Sequence, residues 1–79
     1  MERVKADEIL HDLSNESRYN VSIHLYCGGY SVEVSEQQMT NNHIYISPKI
    51  IEVCYKHNVR MSVHRIGGGQ EYMRIIINE

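Results

Sequence analysis

Tryptophan and phenylalanine are both missing from this 79-residue chain, proline occurs once and cysteine twice. Without Trp or Phe the core has to be aliphatic. Ile and Val dominate an apolar fraction of 42%, a little under globular usage. A chain this short buries only about 60% of the surface its unfolded form exposes. Residues 1–79 are therefore read as a single small domain, with material for one compact core and none to spare for a deep apolar cleft. Any site is expected on a surface or between subunits.

A marked excess of charge of either sign is also lacking. Eight Lys and Arg stand against ten Asp and Glu, a net charge of −2, which gives no overall attraction for nucleic acid or an anionic membrane. The charges are mildly segregated: Glu2, Asp7, Glu8, Asp12 and Glu16 crowd the N-terminal segment, while Arg60, Arg65 and Arg74 fall in the last third. No basic stretch followed by an apolar run marks a secretory signal, and no apolar run approaches the ~18 residues of a membrane span. A cytoplasmic protein without membrane attachment is expected, in which the sequons Asn15-Glu16-Ser17 and Asn20-Val21-Ser22 stay unmodified. In such a reducing compartment Cys27 and Cys54 are free thiols.

What is present is clear periodicity. Ala6, Ile9, Leu10 and Leu13 recur at helical spacing and indicate a helix over residues 4–15, with acidic residues in its first turns and a stop at Ser14-Asn15. Val21, Ile23 and Leu25 then alternate with Ser22, His24 and Tyr26. After Cys27-Gly28-Gly29 the alternation resumes with Tyr30, Val32 and Val34, the pattern of a β-hairpin whose glycines supply the positive φ of the turn. Residues 36–42 have no period and read as a mobile connection. His43-Ile44-Tyr45-Ile46 is a candidate fifth strand, and Ser47-Pro48 announces a second helix, with Ser47 capping it. Its inner face is Ile50, Val53, Cys54 and His57, widened by Ile51 and Tyr55, and Asn58 ends it. A second hairpin follows, with Val59, Met61 and Val63 in one row, a turn at Gly67-Gly68-Gly69, and a return strand over residues 72–77 that buries Met73, Ile75 and Ile77.

The two halves echo each other: Tyr19-Asn20-Val21 before Ile23-His24 and Gly28-Gly29, His57-Asn58-Val59 before Val63-His64 and Gly67-Gly68. The expectation is an α+β fold in two layers, an antiparallel sheet of four to five strands with both helices on one face. Its order is α-β-β-(β)-α-β-β, with an internal α-β-β duplication as a candidate feature.

Several constellations carry potential chemistry. His24, Cys27, Cys54 and His57 are the ligand types of a structural zinc centre, yet a helix packed on the Val21/Ile23/Leu25 row lies across the sheet from His24, so no metal or other cofactor is expected. A cysteine nucleophile fares no better, because a mid-helix Cys54 among isoleucines is inert. Glu33 and Glu36 lack the apolar pocket that would raise one carboxyl. Gly67-Gly68-Gly69 joins two strands rather than a strand and a helix, so it is a turn and not a phosphate cradle. No enzyme is expected.

If the aliphatic rows turn inward, His24, Tyr26, Arg60, His64, Tyr72 and Arg74 come out together on the uncovered sheet face, mixing rings with cations. Tyr and Arg anchor protein interfaces, and such faces also bind single-stranded nucleic acid by stacking and phosphate pairing. The negative net charge favours a protein partner. The expected function is a non-enzymatic interaction or regulatory module using that face or an unpaired strand edge to bind itself, as a homo-oligomer, or another protein. A single-stranded nucleic-acid-binding module is the alternative and a small zinc protein the third. Origin in a virus or mobile element, such as a phage, is an expectation from size class alone.

Overall fold

A computed structural model describes residues 1–38, 42–69 and 71–79. The elements run α1 (Arg3–Leu13), β1 (Tyr19–Tyr26), β2 (Gly29–Glu36), α2 (Pro48–His57), β3 (Arg60–Ile66) and β4 (Tyr72–Asn78). The strands form one antiparallel sheet in the order β1-β2-β4-β3, so β1 and β3 are its edges. This is the expected two-layer α+β class, a slab with extents of 32 × 28 × 16 Å.

Register fixes which side chains share a face. Val21 lies opposite Val34, Val34 opposite Ile75, and Ile75 opposite Val63; one pleat further along, Ile23, Val32, Ile77 and Met61 make a second row. The inner members Val32, Val34, Ile75 and Ile77 are fully buried beneath Ala6, Ile9 and Leu13 of α1 and Ile50 and Val53 of α2. The core thus sits over the two central strands. Both helices lie on that side because each has one apolar stripe to bury.

The helices do not cover the whole aliphatic row. Leu25 is 77% exposed and Val63 43%, although their strands have the expected phase. The covering layer ends short of these outlying positions. Ile51 and Tyr55 likewise do not widen the inner stripe of α2, for Tyr55 is 85% exposed. Ile50, Val53 and Cys54 turn inward, and His57, a turn beyond Val53 and Cys54, lies largely shielded at the junction with α1.

Local details differ where hydrogen bonding overrides propensity. No strand forms at 43–46: Tyr19, buried in the core, donates its hydroxyl to the Tyr45 carbonyl and accepts the Ser47 N–H at 3.1 Å. That phenol takes the backbone partners a fifth strand would have used. Ser47 does stand at the N-cap of α2 with Pro48 behind it, but its hydroxyl donates to Glu16 Oε1 at 3.0 Å instead of capping. α1 begins at Arg3, a residue early, so its first turn closes with Arg3 and Lys5 inside and Asp7 and Glu8 beyond. Asn58 ends α2 in the left-handed region, as expected. Of the connection expected over 36–42, Glu36 is a buried residue of β2, and 39–41 lie outside the described residues.

The first hairpin turn is displaced by one residue from its expected glycines. Cys27 and Gly28 carry the positive φ values, 49° and 80°, making a two-residue primed turn. Gly29 serves another need: a Cβ there would come within 3.2 Å of the Met1 backbone, which exchanges hydrogen bonds with Tyr30. In the second turn Gly68 and Gly69 take positive φ, and Gln70 lies outside the described residues.

The register is that of a local two-fold axis normal to the sheet, passing between Glu33 of β2 and Ile76 of β4. It brings Ser22 and His24 of β1 onto Ser62 and His64 of β3, and Val34 onto Ile77. The two hairpins are therefore related by this axis, whereas the helices are not: α1 packs on β1 and β2, and α2 chiefly against α1.

Candidate binding face

Since His24, Tyr26, Arg60, His64, Tyr72 and Arg74 alternate with the buried row, all six project from the sheet side opposite the helices. Ser22, Ser31, Glu33, Ser35, Ser62 and Ile76 share that side. Among the described residues no helix covers it.

Glu33 anchors the face. Arg74 Nη1 donates to its Oε1 at 2.7 Å, and His24 Nε2 stands 3.4 Å from the same oxygen. Glu33 is only 14% and Arg74 25% exposed, so the pair is partly shielded and geometrically fixed. Arg74 Nε and the fully buried Ser31 Oγ have no hydrogen-bond partner. Two matching Ser-x-His units flank this centre: Ser22 Oγ lies 2.8 Å from His24 Nε2, and Ser62 Oγ 2.8 Å from His64 Nε2. Each hydroxyl holds its ring against the strand, and at His24 the Glu33 carboxylate stands beside the same nitrogen.

The charges of the strands' open side differ from the chain as a whole. Arg60 and Arg74 face one carboxylate, Glu33, whereas Glu2, Asp7, Glu8 and Asp12 lie in or beside α1 in the other layer. Sequence reasoning set Glu33 beside Glu36 as a weak carboxylate pair. Parity separates them: Glu36 turns to the helix side, buried, and pairs with Arg18. The signal for the role of Glu33 was its alternation with Val32 and Val34, which put it on the side of Arg74.

The four candidate zinc ligands do not converge. His24 is on the open face, Cys27 is exposed at the hairpin tip, and Cys54 is buried in the helix layer, where burial pushes its thiol pKa up. His57 instead joins the two helices. Its Nε2 lies 2.8 Å from Asp12 Oδ2, which also accepts from Lys56 Nζ at 3.0 Å. Among the described residues no three His, Cys, Asp or Glu side chains are placed to hold a metal ion, and no helix is long and apolar enough to cross a membrane.

The hydrogen bond from His57, then that from Lys56, holds the Asp12 carboxyl below its ordinary value. A depressed carboxyl contributes stability that is present above its unfolded pKa of ~3.9 and is lost as pH falls through the lower folded value. Asp12→Asn is therefore expected to cost about 1 kcal/mol at neutral pH. The difference from wild type shrinks as pH falls through the lowered folded value, where the native carboxyl is also protonated. Urea denaturation at pH 7 and in acid checks both halves. A constant difference across that range would contradict the pairing.

A groove of about 710 Å³ runs along the outer side of α2 between Tyr45, Pro48, Ile51 and Tyr55. It is separate from the sheet face. No family model, curated protein or solved structure matches this chain.

Proposed function

We propose that this chain is a non-enzymatic binding module that engages a protein partner through the uncovered face of its sheet. The observation that carries this is the convergence of His24, Tyr26, Arg60, His64, Tyr72 and Arg74 on one side of β1–β4, around a fixed Glu33–Arg74 pair. Rings held on a rigid sheet lose little entropy when a partner settles on them, and Tyr and Arg are the side chains most often found at interface hot spots. The extents of 32 × 28 Å set an upper limit of roughly 900 Å² on the face, of the order of the ~800 Å² that one partner contributes to a standard interface. With two arginines against one carboxylate, the surface that fits is acidic.

Arg74 is a poor probe of the interaction, because Arg74→Ala strands the shielded Glu33 carboxylate and destabilises the fold. Arg60 and Tyr72 are better. The double variant Arg60→Ala, Tyr72→Ala is expected to keep its melting temperature and lower affinity for a captured protein partner by about tenfold to hundredfold. Tyr55→Ala, on the other layer, leaves that affinity unchanged. Unaltered affinity in the double variant would rule the face out.

A second reading has a specific observation in its favour: the arginines share the face with Tyr26 and Tyr72 while the acids of α1 lie in the other layer. Single-stranded nucleic acid suits such a surface. Titration of an oligothymidylate across a salt series separates the two, since phosphate-dominated binding falls steeply with salt.

A further inference from the structure

β1 is an edge strand that lacks the usual protections. Its sequence, Tyr19 to Tyr26, contains no Lys, Arg, Asp, Glu or Pro, and its eight residues pair with β2 without a bulge. The other edge, β3, carries Arg60 and Arg65. Natural sheets guard an exposed edge with charges, proline, bulges or a covering element, because unpaired N–H and C=O groups are a template for another strand.

Hydrogen-bond phase shows which groups are free. Gln37 N–H donates to the Arg18 carbonyl at 2.9 Å, so Arg18 and Gln37 form a hydrogen-bonded pair of the β1–β2 ladder. Such pairs alternate along an antiparallel ladder. Asn20, Ser22, His24 and Tyr26 therefore direct their backbone groups to β2, and Val21, Ile23 and Leu25 direct theirs outward. None of these outward groups has a partner among the described residues. Leu25, at the end of this row, is 77% exposed.

We infer that β1 is the docking edge for a second copy of this chain, which adds antiparallel through a two-fold axis at Ile23 to make one eight-stranded sheet. The occupant is a second copy because the strand complements itself. About that axis Ile23 meets the partner's Ile23, and Val21 meets the partner's Leu25, covering the exposed leucine. Ser22 meets the partner's His24 on the open face. No formal charges are brought opposite one another. The outward groups of Val21, Ile23 and Leu25 supply six interchain hydrogen bonds, within the roughly 5 to 15 that protein interfaces carry. A β3–β3 pairing would instead bring Arg60 and Arg65 of both copies to the junction, which is how an edge is kept unpaired.

This inference is independent of the open-face reading, and pairing at β1 joins two such faces side by side. Light scattering at about 100 µM is expected to give twice the 9.2 kDa chain mass. Leu25→Lys puts a charge at the junction and is tolerated by the fold, since that side chain is already in solvent. It is expected to halve the mass with an unchanged far-ultraviolet circular dichroism spectrum. Val63→Lys, on β3, leaves the double mass in place. Amide exchange gives a second readout: the N–H groups of Val21, Ile23 and Leu25 are protected at high concentration and released on dilution. A wild type of single mass at 100 µM overturns the inference. So does a Leu25→Lys variant that keeps the double mass, or a Val63→Lys variant that alone loses it. Arg60→Ala, Tyr72→Ala is expected to retain the double mass, so a failure of the open-face reading is distinguishable from a failure here.

Discussion

Ile75→Ala is expected to remove about 2–5 kcal/mol of folding stability. For a domain of this length the total is roughly 4–12 kcal/mol, so the variant loses from about a sixth of its stability to all of it. The reason lies in the register. Ile75 is fully buried and lies between Val34 and Val63, with both helices closing over the two central strands. In a slab this thin the core is one layer of side chains, and a hole in it has little else to collapse onto. Urea denaturation followed by circular dichroism measures the loss. Leu25→Ala, in the same aliphatic row but outside the helix layer, is expected to change stability by less than about 0.5 kcal/mol. Equal costs at the two sites would mean that the helices extend further over the sheet than described.

Tyr19→Phe is expected to cost about 1–3 kcal/mol, lowering the melting temperature by roughly 5–20 °C. The phenol is the junction between β1 and the segment leading into α2: it donates to the Tyr45 carbonyl and accepts from Ser47 N–H. Phe fills the same space and leaves both backbone groups without a partner, which costs more than one ordinary hydrogen bond. Burial also raises the Tyr19 pKa above its ordinary value. A raised value means that the stability is complete below ~10 and is lost as pH climbs through the folded value. Wild type should therefore weaken in alkali, and Tyr19→Phe should weaken less over the same interval. A Phe variant as stable as wild type would show that water replaces the phenol without penalty.

Alternation made most of the architecture readable. Strict period-two runs in β1 to β4, and helical spacing at Ala6, Ile9 and Leu13, are signals of burial, and burial is what orders the two layers. The six residues of the open face followed from that same parity. What could not be read were features set by distant partners. Tyr19 takes the backbone groups of 45 and 47 away from a fifth strand, and nothing near Tyr45 in the sequence announces a phenol from β1. The Ser47 hydroxyl leaves its cap for Glu16, again across the chain. The reach of the helices over the sheet depends on where their axes lie, so Leu25, Ile51 and Tyr55 were placed on the right elements but at the wrong depth.

The local two-fold axis through Glu33 and Ile76 bears on how an elongated partner would be read. Its polar backbone, laid across the strands, meets a serine–histidine unit first and last whichever way it points, so those units are blind to direction. The symmetry is broken by what is not repeated: Arg60, Tyr72 and Arg74 all belong to the β3–β4 half, and Glu33 and Tyr26 to the other. Direction would then be read from Arg60 and Tyr72 on one flank against Tyr26 on the other, with the Glu33–Arg74 pair between them.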